Sequence, residues 1–110
     1  MRLFKPADSI IFAEEKIEKD FNSLKENNWL KKAILRAITD FKENAFCGER
    51  IKKEIIPIEY VRKYEVDNLL WYPLPNDWRL VYSVFSTEGE ITAMIIEYFD
   101  HKNYERRFGY

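Results

Sequence analysis

Near the start of the chain, apolar residues recur at three- and four-residue steps, Ile10, Ala13, Ile17, Phe21 and Leu24, with Glu14, Glu15, Lys16, Glu18 and Lys19 between them. That spacing places the apolar side chains on one helical face and predicts a helix capped by Asp8 or Ser9 and running to about Lys25. Asn27 and Asn28 interrupt the pattern. A second stripe of Leu30, Ile34, Ile38, Phe41 and Ala45 follows and ends before Gly48, a residue suited to stopping a helix. Two such helices in succession predict an αα-hairpin.

Between Glu49 and Asn68 the pattern is mixed. Ile51, Ile55 and Ile56 suit an extended start, and Pro57 suits the first turn of a short helix over 58–64 that buries Tyr60 and Val61. The period then shortens to that of strands. Leu69 to Tyr72 runs into Pro73, Pro75-Asn76-Asp77 makes a turn, and Trp78 to Phe85 is rich in aromatic and β-branched residues. After a turn over 86–90, Ile91 to Phe99 is apolar on both faces around Ala93 to Ile96, as expected of a central strand covered by helices. Helices first and a meander afterwards predict an α+β fold, with the N-terminal hairpin on one face of an antiparallel sheet.

Length sharpens this picture. A chain of 110 residues with 46% hydrophobic content has material for one core, so residues 1–110 are expected to form a single domain. No run approaches a membrane span, and Met1 to Pro6 lacks the apolar stretch of a secretory signal, so a cytoplasmic location without membrane association is expected. Cys47 is the only cysteine and His101 the only histidine, which excludes an internal disulfide and a zinc site built from several such ligands. No metal or other cofactor is expected. The 18 basic and 19 acidic residues nearly cancel, so any polyanion site must be a local cluster. Gly-rich phosphate loops, nucleophile elbows and paired-carboxylate spacings are missing from the sequence, which argues against nucleotide hydrolysis and covalent catalysis.

Candidate chemistry enters with Trp78-Arg79-Leu80-Val81-Tyr82-Ser83-Val84, followed by an apolar strand and then His101-Lys102-Asn103-Tyr104. This order resembles the RelE/ParE toxin superfamily, including its RelE, YoeB and HigB groups. In that family an Arg-Leu/Val-Val-Tyr strand precedes a strongly apolar strand and a cluster of His, Arg and Tyr. The likeness covers roughly residues 28 to 104, with Gly48 and the lysine-bearing segment after it in the matching order.

The resemblance implies a RelE/ParE-like fold and the toxin component of a toxin–antitoxin pair. Its activity would be that of a metal-independent endoribonuclease cleaving mRNA, in several members on the ribosome, silenced by a cognate antitoxin. Such cleavage needs a base for the 2′-hydroxyl proton, a cation for the charge growing on the phosphate, and an acid for the departing 5′ oxygen. Arg79 matches the family's strand arginine and would clamp the phosphate with a planar fork of donors. His101 and Tyr104 match the C-terminal cluster, as acid or base and as proton donor or stacking ring. Lys102 stands where many members carry arginine, keeping the charge and losing the fork. Lys52 and Lys53 lie in the segment where some relatives bind phosphate, and Arg106 and Arg107 combine with Phe108 and Tyr110 as an RNA-binding pairing of cations and rings.

One departure runs against that activity. RelE-type members carry basic residues on the strand before the arginine strand, and here 69–74 contains none. The alternative reading is therefore a catalytically inactive RelE/ParE-like protein-binding module, such as an inhibitor of a protein target. Trp71, Tyr72 and Trp78 would suit an antitoxin helix laid across the sheet wherever they are exposed.

Overall fold

The computed structural model describes residues 4–109. Its elements are β1 (Ser9–Phe12), α1 (Glu15–Ser23), α2 (Trp29–Glu43), β2 (Glu49–Arg50), α3 (Ile58–Tyr64), β3 (Leu70–Pro73), β4 (Trp78–Thr87), β5 (Glu90–Asp100) and α4 (His101–Phe108). Short 3₁₀ turns occupy Lys53–Ile55 and Pro75–Asp77. The α+β class stands, with five strands in the order β1-β5-β4-β3-β2.

Three expectations are corrected. The sheet is mixed, because β1 lies parallel to β5 with Ser9 opposite Thr92 and Phe12 opposite Ile95, while the other neighbours are antiparallel. The segment expected to open the first helix is therefore a strand. Ser9-Ile10-Ile11-Phe12 fits a pleated edge beside β5, and flanking bonds from Asp8 N–H to the Ile91 carbonyl (2.7 Å) and from Ala13 N–H to the Ile95 carbonyl (2.8 Å) extend the pairing. Nine helical residues remain in α1, and among them Phe21 is buried. Asn28 opens α2, its side chain accepting from Leu30 N–H at 2.8 Å, and Leu30, Ile34, Ala37 and Phe41 form the buried face. The short helix expected over 58–64 is present as α3. It buries Tyr60 and leaves Val61 39% exposed, against the expectation for Val61.

The sheet separates two cores. One joins Phe21 and the buried face of α2 to Leu70, Leu80, Tyr82, Ala93 and Ile95. The other joins Tyr60 of α3 and Tyr104 and Phe108 of α4 to Leu69, Val81, Ile96 and Phe99. Both faces of β4 and β5 are thus covered, as the apolar run in β5 requires. A register shift between Val81 and Tyr82 pairs Val81 with Glu97 and Tyr82 with Ile95, leaving Ile96 as the extra residue on β5. Strand side chains alternate, so one extra residue exchanges the faces. Ala93 and Ile95 face the α2 core, whereas Phe99 and Glu97 reach the core and contacts of α3 and α4.

Gly48 joins α2 to β2 under close constraint. Its N–H donates to the Tyr82 hydroxyl at 2.9 Å, and that hydroxyl donates to the Ala45 carbonyl at 2.8 Å. A Cβ at residue 48 would stand 2.6 Å from the Trp71 carbonyl oxygen and 2.7 Å from the Tyr82 hydroxyl. We expect Gly48→Ala to cost about 1–3 kcal/mol through overpacking. Urea unfolding checks this, and a loss below about 0.5 kcal/mol, typical of an unconstrained surface position, would contradict it.

Candidate functional site

The third and fourth helices meet the sheet at the end where β5 leaves it. Arg79 on β4 sits opposite Pro73 of β3 and Phe99 of β5, and the next pair, Trp78 with Asp100, ends the ladder. His101 follows at once as the first residue of α4. Asp100 caps that helix, accepting from Asn103 N–H at 3.0 Å and from its side-chain amide at 2.8 Å. The Asn103 backbone donor is the main cause of an Asp100 carboxyl held below the usual carboxylate range; the side-chain amide and the positive charges of Lys102 and Arg106 add to it. Gly109 closes the helix at φ 72°, its N–H reaching the Glu105 carbonyl at 2.9 Å.

Four-residue spacing turns Tyr104 and Phe108 into the core, and both are buried. His101, Lys102 and Arg106 are left exposed. The Arg79 guanidinium, half-buried, lies 3.9 Å from the centre of the Trp71 ring and 4.3 Å from that of Tyr104. A delocalised, weakly hydrated cation is well suited to such a slot. From Tyr104 the rings continue outward, to Phe108 at 4.6 Å, on to Tyr60 at 5.7 Å and then to Tyr64 at 6.1 Å, all near-parallel. One ladder therefore connects Arg79 with the cleft between α3 and α4.

The sequence-derived candidates are distributed as follows. Arg79 and the Tyr104 ring are in contact, but Tyr104 is fully buried, so its phenol does not face the surface where a substrate would lie. His101 Nε2 is held 2.6 Å from Glu105 Oε1. Lys102 stands beside it, exposed. Arg107 Nε is 3.2 Å from Glu97 Oε2, with its guanidinium 4.7 Å from the Phe99 ring centre, and Arg106 lines the α3/α4 cleft. Lys52 and Lys53 are exposed and line a separate cleft of about 480 Å³ with Arg50, Asp67 and Asn68. Tyr110, expected to join Arg107 and Phe108, lies outside the described residues. Trp71, Tyr72 and Trp78 are half-buried; Trp78 packs edge-on against Trp29 at 5.6 Å, and the Tyr72 hydroxyl donates to Asp40.

Sequence reasoning missed Glu97 and the tyrosines around it. Glu97 Oε2 accepts from the Tyr60 hydroxyl as well as from Arg107. Burial, and then the bond to Glu97, pushes the Tyr60 phenol far above its ordinary range, so it stays a proton donor at neutral pH. One signal was available. Glu97 is the only charged residue between Ile91 and Phe99, and a lone carboxylate in an apolar strand needs partners. Among the described residues no group of His, Cys, Asp and Glu side chains could hold a metal ion, and no helix is long and apolar enough to cross a membrane.

No family model, curated protein or solved structure matches the chain.

Because the Asp100 carboxyl is depressed in the fold, its contribution to stability is present above the unfolded pKa and is lost as pH falls through the folded one. We expect Asp100→Ala to lower Tm at pH 7 and the difference from the native chain to shrink as the pH falls below the ordinary carboxylate range. Thermal unfolding by circular dichroism checks this. A difference that persists unchanged at the acid end would show that the cap does not depend on the charge.

Proposed function

We propose that this chain is a RelE/ParE-like toxin component of a toxin–antitoxin pair, acting as a metal-independent endoribonuclease on mRNA. The observation that carries the reading is the placement of Arg79. Its guanidinium lies against both Trp71 and Tyr104, two rings inclined at 62° to each other, and is half-exposed near the start of α4, where His101 and Lys102 emerge. A cation held against two rings is oriented before the substrate arrives, which is what stabilising a developing phosphoryl charge demands.

In this reading Arg79 binds the scissile phosphate and Lys102 adds charge. His101, an imidazole oriented by Glu105, takes the 2′-hydroxyl proton. The 2′ oxygen attacks phosphorus, the bond to the 5′ oxygen breaks, and the leaving oxygen takes a proton from water. Tyr104 is a positioning residue: its buried ring forms the wall against which Arg79 lies. The antitoxin has a suitable seat elsewhere, in a cleft of about 500 Å³ lined by Trp29, Ala33, Arg36, Tyr72 and Leu74 between α2 and β3.

The enclosure of Tyr104 favours one other reading, the inactive protein-binding module, which needs no exposed phenol. Inducible expression with mapping of mRNA ends separates the two. Arg79→Ala and His101→Ala are each expected to lower cleavage by on the order of 10²-fold or more. Tyr104→Phe, which keeps the ring, should lose less than about tenfold, short of the 10²-fold or more typical of a group acting on the reacting atoms. Growth arrest that persists in both Arg79→Ala and His101→Ala, with messages intact, would transfer the conclusion to the protein-binding module.

A further inference from the structure

The cleft between α3 and α4 gathers aromatic rings, cations and carboxylates outside the Arg79 cluster. It encloses about 370 Å³ and is lined by Tyr60, Lys63, Tyr64, Glu97, Arg106 and Arg107, together with Pro57 and the acidic Glu59. That volume suits a small planar ligand. The ring ladder from Trp71 and Arg79 ends here at Tyr64, which is half-buried and has Tyr60 as its ring neighbour within the ladder. A further planar group would continue the ladder. Lys63 and Arg106, both exposed, line the same cleft; Lys63 is already ion-paired with Glu14, which also accepts from the Tyr64 hydroxyl, so Arg106 is the cation the cleft offers to an anion. Rings with cations beside them are what an unpaired base and its phosphate require.

Glu97 gives the cleft a preference among bases. Its Oε2 already accepts from Tyr60 and Arg107, so those two groups fix the carboxylate in place. Among the described residues no hydrogen bond is made to Oε1, and the side chain retains 22% exposure. A fixed carboxylate oxygen takes N–H donors and repels acceptors. Guanine offers two adjacent donors, N1–H and the N2 amino group. Uracil offers one donor between two carbonyl acceptors.

We propose that the α3/α4 cleft is a guanine-preferring nucleotide subsite, with the base against Tyr64, its donors on Glu97 and its phosphate met by Arg106. The subsite rests on the ribonuclease reading for the nature of its ligand and extends it by naming a base preference and residues outside the Arg79 cluster.

Titration of the ¹⁵N-labelled full chain at low salt with GMP, UMP and inorganic phosphate tests it without cleavage. GMP is expected to shift amide signals on α3, α4 and around Glu97, and to bind on the order of tenfold more tightly than UMP. Glu97→Gln should abolish that preference, and Arg106→Ala should weaken both nucleotides alike. Should Glu97→Gln not fold, Tyr64→Leu, which removes the stacking ring, should weaken GMP while leaving phosphate unchanged. His101→Ala should bind GMP as the native chain does while losing cleavage, so that failure of the subsite and failure of the nuclease reading are seen separately. Equal affinity for GMP, UMP and phosphate, shifts confined to other surfaces, or no binding at all would overturn the proposal.

Discussion

The contact on which this architecture depends is the packing of Tyr104 against the sheet. A helix of eight residues is far too short to persist alone in water, so α4 exists because its Tyr104 and Phe108 are buried. The same ring forms one wall of the Arg79 slot. Near-parallel ring pairs contribute roughly 0.5–1.5 kcal/mol beyond their buried area, and a cation on a ring face about 0.5–2 kcal/mol. Several such contacts in series, from Trp71 through Arg79, Tyr104, Phe108 and Tyr60 to Tyr64, tie α3 and α4 to β3 and β4. Core stability and site geometry therefore rest on the same atoms.

The irregularity in β5 supports this arrangement. Without the extra residue at Ile96, the alternation that places Ala93 and Ile95 in the α2 core would place Glu97 and Phe99 there too. The shift reverses the parity, sending Phe99 to Tyr104 and Glu97 to Tyr60 and Arg107. A single strand can then serve two cores and carry a carboxylate on the face where cations are gathered. The parallel pairing of β1 covers the outer side of β5, so this strand is internal, as its apolar composition demands.

Much of this was legible in the sequence, and the exceptions have physical causes. The α2 stripe, the strands from Leu70 onward and the short helix after Pro57 follow from periodicity and turn chemistry. The first strand was misread because Ile10, Ala13 and Ile17 also satisfy a helical step, and four residues are too few to separate the two periods; pairing with β5 decides it. Arg79 was legible as a candidate. The burial of Tyr104 was not, since the preceding strand hides the fact that Tyr104 and Phe108 form the inner face of a capped helix. Glu97 was overlooked because a bulge cannot be read from alternation, although its isolation among apolar residues marked it.

The most direct measurement of the central claim is the NMR signal of the Arg79 side chain. The packing between Trp71 and Tyr104 predicts a ring-current-shifted Nε–H with cross-peaks to both rings. Single-stranded RNA should move that signal and leave the Tyr104 ring resonances in place. A guanidinium resonating at its free-solution position without contacts to either ring, or one indifferent to RNA, would contradict the account.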